Sequence, residues 1–141
     1  GLLHVPGGGS RMPATIESVN AKQHYIMQDG KKVFKFAVKG MADVSEKIMA
    51  QNNLTGDNIS VFIPHQANKR IIDAAAKRCN ISDNKVLINI DRFGNTTAGT
   101  IPIAMNEAIE TERIKDGDTI LLAAFGAGFT WGSMLLKWEG P

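Results

Sequence analysis

Val61-Phe62-Ile63-Pro64-His65-Gln66-Ala67-Asn68-Lys69-Arg70-Ile71 is an apolar run that stops in a polar loop and reopens as a helix. The run, Ile59 to Ile63, is continuous and does not alternate with polar residues. Continuous apolar runs of this length belong to strands covered on both faces, as in parallel sheets. Asn68 to Cys79 then places Ile71, Ile72, Ala75 and Ala76 on one side of a helix. Strand followed by helix sets the pattern for what comes after.

Working downstream, Val86 to Ile90 is a second apolar run, Ala98 to Glu110 a second helix and Thr119 to Phe125 a third run. Gly126-Ala127-Gly128 turns the chain into Phe129 to Trp138, which reads as an antiparallel strand beside the third run. Upstream, Phe34, Ala37, Val38, Met41, Val44 and Ile48 recur at steps of three and four and predict a helix from about Lys31 to Asn52. Gly40 interrupts it at a cost of about 1 kcal/mol relative to Ala, which suggests close packing there, although a tolerated glycine fits equally well. Residues 6 to 23 are rich in Gly, Pro and Ser and read as irregular. The expected domain is a layered α/β/α structure with helices on both faces of a sheet.

The chain has 141 residues, enough for one domain with a core, and 43% of them are hydrophobic and 21% charged. The net charge of +2 gives no indication of nucleic-acid binding. No apolar run reaches the roughly 18 residues of a membrane span, and no signal peptide is visible. The single cysteine, Cys79, excludes an internal disulfide framework and a multi-cysteine zinc site. A cytoplasmic location is the simplest expectation. The opening Gly1-Leu2-Leu3-His4-Val5 lacks an initiator Met and reads like a strand already under way, so a truncated piece of a longer protein is expected.

In open parallel sheets, ligands sit beyond the carboxyl ends of the strands. Three such ends occur: Pro64 to Asn68, Asp91 to Gly99, and Phe125 to Phe129. His65 and Asn95 can therefore converge with the Gly-rich turn. Together they offer two side-chain N–H donors to one carbonyl oxygen, a site for an enolate or oxyanion, and the turn can add a backbone N–H. Each signal has an ordinary structural reading: a histidine after a strand, a turn asparagine, a hairpin glycine pair. Their shared edge gives them weight. Cys79 lies at a helix C-terminus, where the dipole disfavours a thiolate, and reads as structural. Arg70 and Lys77, two helical turns apart, share a face, as do Lys32, Lys35 and Lys39. Cations at a helix N-terminus oppose its dipole, which an anionic partner would explain, although a solvated surface would also carry such charges.

The stretch Val61 to Ile71 resembles the histidine motif of the beta-ketoacyl-acyl-carrier-protein synthase III family. Asp91-Arg92-Phe93-Gly94-Asn95-Thr96-Thr97 is similar to its asparagine motif, and Phe125-Gly126-Ala127-Gly128-Phe129-Thr130-Trp131-Gly132 to its C-terminal signature. Val33-Phe34-Lys35 resembles the start of its long helix. The resemblance implies a thiolase-like half with a mixed, mostly parallel five-stranded sheet. Residues 31–141 would form the C-terminal domain, and residues 1–30 an irregular lead-in from a truncated N-terminal half.

It implies decarboxylative Claisen condensation of acyl-coenzyme A with malonyl-acyl-carrier protein, the initiation step of fatty acid synthesis. His65 and Asn95 match two members of a Cys-His-Asn triad whose Cys lies in the absent half, so this fragment alone is expected to be inactive. The Ala127 backbone N–H matches an oxyanion-hole position, where Gly is frequent in the family. Gly30 and Asn68 match positions near the pantetheine arm, and Phe125 matches a residue lining the site. Lys35, Arg70 and Lys77 match positions for acyl-carrier-protein docking. No cofactor or metal is implied, because the coenzyme A thioester is a substrate, and the full-length family is dimeric. Two alternatives stay open: an acyltransferase of the same type outside fatty acid synthesis, and a noncatalytic carrier-protein-binding module.

Overall fold

The computed structural model describes residues 1–140, which divide into two compact units, Gly1–Phe36 and the chain from Ala37 onward. In the first unit, β1 (Leu3–His4) pairs antiparallel with β2 (Met27–Gln28). Between them, in the stretch read as irregular, lies a short helix, α1 (Ile16–Asn20). The Thr15 hydroxyl accepts from the Ser18 N–H at 3.1 Å, and the Ser18 hydroxyl oxygen accepts from the Thr15 N–H at 2.9 Å. This reciprocal cap satisfies two of the donors a helix start leaves open. Five residues are too few for a hydrophobic period to register. Asp29 caps α2 (Gly30–Gln51), accepting from the Lys32 N–H at 3.1 Å.

In the second unit, β3 (Val61–Pro64), β4 (Thr119–Gly126) and β5 (Thr130–Lys137) form one sheet in that order. β3 and β4 are parallel, with Val61 opposite Ile120; β4 and β5 are antiparallel, with Thr119 opposite Lys137. All four residues of β3 are buried, as an uninterrupted apolar strand requires.

Helices cover both faces. Ala104 and Ala108 of α5 (Thr100–Glu110) pack with Val61, Ile63, Leu87, Ile114 and Ile120, and Leu136 joins this face from β5. Strand side chains alternate, so Trp131 and Ser133 point the opposite way from Leu136. There α2 lies against them: a Cβ on Gly40 would come within 3.0 Å of the Trp131 ring, and the Ser133 hydroxyl donates to the Val44 carbonyl at 2.8 Å. Of the two explanations for Gly40, close packing is therefore the one that holds. α3 (Lys69–Arg78) runs beside α2, joined by Arg78 to Asp43 and Glu46.

The expected strand Val86–Ile90 differs. Only Val86 bridges to Phe62, and the Leu87 N–H donates to the Phe62 carbonyl at 2.8 Å. The chain then turns into α4 (Ile90–Phe93). The buried Gln66 side chain takes over the remaining rungs: its Nε2 donates to Pro64 O at 2.8 Å and Leu87 O at 3.1 Å, and its Oε1 accepts from the Asn89 N–H at 3.0 Å. A side chain thus replaces backbone pairing where the second run would have continued. Among the described residues this sheet has three strands, one parallel and one antiparallel pair, in place of five mostly parallel ones.

Candidate active site

His65 follows directly on β3. Its N–H donates to the Ala123 carbonyl of β4 at 2.8 Å, which fixes the histidine backbone two residues short of Phe125. The imidazole is half-buried, and burial lowers its pKa from the ordinary value, favouring the neutral ring. Nδ1 lies 2.6 Å from Oγ1 of Thr100, a buried residue that opens α5.

Asn95 sits in the loop after α4. Its Oδ1 accepts from the Thr97 N–H at 3.0 Å, an Asx turn that helps hold Thr97 at a positive φ of 53°. The Thr97 carbonyl in turn accepts from the Thr100 N–H. Asn95 and His65, thirty residues apart, are therefore joined by hydrogen bonds through Thr97 and Thr100. Oδ1 serves the turn, and Nδ2 is the donor end of the Asn95 side chain.

A second network holds this loop. Buried Asn89 donates through Nδ2 to Glu107 of α5 at 3.0 Å, and Arg92 pairs with the same carboxylate. The Asn89 amide and Arg92 keep the Glu107 carboxyl below the usual carboxylate range. Through Asn89, Gln66 connects the histidine loop to the asparagine loop. Sequence reading missed Thr100, Gln66, Asn89 and Glu107. Gln66 stands beside His65 in the motif, but nothing in a linear sequence marks a buried polar residue.

The third loop lies at the end of β4. Phe125 stacks on Trp131, with ring centroids 6.3 Å apart and planes 4° from parallel, and meets Phe129 at 4.9 Å. Ala127 is exposed in the hairpin turn, its carbonyl accepting from the Thr130 hydroxyl at 3.2 Å. Asn68 is the N-cap of α3, its Oδ1 accepting from the Arg70 N–H at 2.9 Å. Arg70 and Lys77 are both exposed on α3.

Gly30 and Lys35 belong to the first unit, where Lys35 is exposed on α2. On its basic face Lys32 pairs with Asp29 at 3.0 Å, and Lys39, in the second unit, pairs with Asp43. These two cations are matched by acids of the chain itself, without an outside anion. Cys79 is buried, and burial pushes its thiol up to about 11, in keeping with a structural role. Among the described residues no group of three His, Cys, Asp or Glu could hold a metal ion, and no helix is long and apolar enough to cross a membrane.

Residues 49–138 match the family described as 3-oxoacyl-[acyl-carrier-protein] synthase III C terminal. A beta-ketoacyl-[acyl-carrier-protein] synthase III of Koribacter versatilis is 54% identical over 136 residues, covering 96% of this chain and 41% of the relative. The chain thus spans about two-fifths of the length of the curated relatives it matches. Among solved structures, the 3-oxoacyl-[acyl-carrier-protein] synthase III of Aquifex aeolicus is 44% identical, with a TM-score of 0.80 over 82% of this chain and 37% of that one. The corresponding enzyme of Pseudomonas aeruginosa is 32% identical, with a TM-score of 0.84 over 99% of this chain and 40% of that one.

Proposed function

Since the chain belongs to the 3-oxoacyl-[acyl-carrier-protein] synthase III family through its C-terminal domain, we propose that it supplies the decarboxylating half of a Claisen condensation. In the full-length protein, a Cys outside this chain accepts the acyl group from acyl-coenzyme A. Malonyl-acyl-carrier protein then loses carbon dioxide. The electrons of the broken C–C bond pass into the thioester as an enolate, whose carbon attacks the acyl thioester and expels the Cys thiolate.

Within this scheme, His65 through Nε2–H and Asn95 through Nδ2–H donate to the malonyl thioester oxygen as it takes up charge. Donors fixed in advance at the place where charge develops stabilise such an oxyanion more than solvent does. The Ala127 N–H serves the acyl-enzyme oxyanion, and Phe125 lines the site. Gly30 and Asn68 lie along the pantetheine arm. Lys35, Arg70 and Lys77 meet the acidic carrier protein. The working enzyme is a homodimer of the longer protein in the cytoplasm, where a lone buried thiol such as Cys79 stays reduced.

The observation that supports this reading most is the hydrogen-bonded connection of His65 to Asn95 through Thr100 and Thr97. It holds an imidazole and an amide donor on neighbouring loops at one sheet edge. The test is to make His65→Ala and Asn95→Ala in the full-length protein and measure the half-reactions separately. Malonyl decarboxylation should fall by about 10²- to 10³-fold in each, while acylation of the distant Cys persists. Loss of acylation with decarboxylation intact would reverse the assignment. The 141-residue chain by itself should not condense the two substrates.

A further inference from the structure

We propose that Thr100 is a positioning residue that fixes the tautomer of His65, donating its hydroxyl proton to Nδ1 so that the ring proton sits on Nε2. The proposal rests on the enolate role of His65 and adds the device that makes the ring a donor in the required direction.

A threonine hydroxyl has one proton and two lone pairs. Oγ1 of Thr100 has two neighbours that could receive the proton, Nδ1 of His65 at 2.6 Å and the Thr97 carbonyl oxygen at 3.2 Å. Were the proton given to Thr97, Nδ1 would have to carry hydrogen and donate to Oγ1. Nε2 would then present a lone pair and repel an enolate oxygen. The distances oppose that arrangement. A 2.6 Å separation is shorter than the usual N–H···O range and within that of an O–H donor, whereas the 3.2 Å contact with Thr97 is the longer and weaker of the two.

The hydroxyl is also held in place. Thr100 is 2% exposed and sits at the start of α5, whose Ala104 and Ala108 are packed into the core. His65 is anchored by its own N–H on Ala123. The histidine backbone and the threonine side chain are therefore both fixed where Oγ1 meets Nδ1. The neutral ring, which has a tautomer to choose, is the form that burial favours.

The test uses the full-length protein carrying this domain. With 15N-labelled histidine, NMR of the ligand-free protein should show Nδ1 of His65 without a proton and Nε2 with one. This readout needs no turnover, so it can fail while the enzyme reading stands, and the reverse. A protonated Nδ1 in the wild-type ring overturns the proposal.

Kinetics give a second arm. Thr100→Val should lower kcat for malonyl decarboxylation about ten- to a hundredfold, as loss of a histidine's supporting partner does elsewhere. KM should stay within about twofold, because ground-state binding is not what is lost. Thr100→Ser, which retains the hydroxyl, should recover most of the rate. In a His65→Ala background, Thr100→Val should have no further effect; an equal loss there would make Thr100 a merely structural residue and overturn the assignment.

Discussion

The Oε1 of Gln66 accepts the backbone N–H of Asn89 at 3.0 Å, in the interior of the second unit. From the same amide, Nε2 donates to Pro64 and Leu87. One side chain therefore satisfies three backbone groups that would otherwise be buried unpaired. Gln66→Leu keeps the volume and removes all three bonds. Each buried group left unpaired costs about 1–3 kcal/mol, so the full-length protein should lose roughly 3 kcal/mol or more in denaturant unfolding. A loss under about 1 kcal/mol would mean that water or rearrangement replaces the amide.

Asn95 performs two tasks with its two ends. Oδ1 builds the turn, and Nδ2 is the donor the proposed function uses. Asn95→Asp preserves the acceptor for the Thr97 N–H and removes the donor. Folding stability should change by no more than about 0.5 kcal/mol, as for other exposed positions. Malonyl decarboxylation should nonetheless fall by about 10²-fold or more. If activity and stability fall together, the residue acts through the turn and not as a donor.

Lys77 is exposed on α3 and forms no ion pair with the described residues. Its charge is available to steer an acidic partner. Reversal by Lys77→Glu should raise KM for malonyl-acyl-carrier protein at low salt, and the effect should shrink as ionic strength shortens the screening length to about 10 Å near 0.1 M. KM for a malonyl-coenzyme A substrate should change less, because it lacks the protein surface. An unaltered carrier-protein KM at low salt would leave Lys77 as an ordinary solvated cation.

Gly56 begins the tight turn before β3, and a Cβ there would lie 2.4 Å from the carbonyl oxygens of both Cys79 and Asn80. Replacing a glycine by alanine ordinarily gains up to about 1 kcal/mol by restricting the unfolded chain. Here backbone must move to admit the methyl group, and Gly56→Ala should destabilise by about 3 kcal/mol. Thermal melting of the full-length variant gives the sign directly; an unchanged or higher Tm would show that the end of α3 yields.

Elements with a local signature, and the motif residues themselves, are legible in the linear chain. The three- and four-residue spacing from Phe34 to Ile48 marks α2, and the observed helix, Gly30–Gln51, lies within a residue of the expected span. Ile71, Ile72, Ala75 and Ala76 mark the buried side of α3 as they stand. His65 and Asn95 were visible as candidates because each follows an apolar run, and loops after such runs share an edge. The tertiary structure alone decided that Val86–Ile90 makes one bridge and turns away, since Gln66 competes for its backbone groups from 21 to 23 residues back. It alone decided that Thr100 meets the imidazole of a histidine 35 residues earlier. The physical reason is common to both. Hydrophobic periodicity is written within a few consecutive residues, but a buried hydrogen bond depends on two distant groups arriving together, and a polar side chain reads the same in sequence whether it ends in water or in the core.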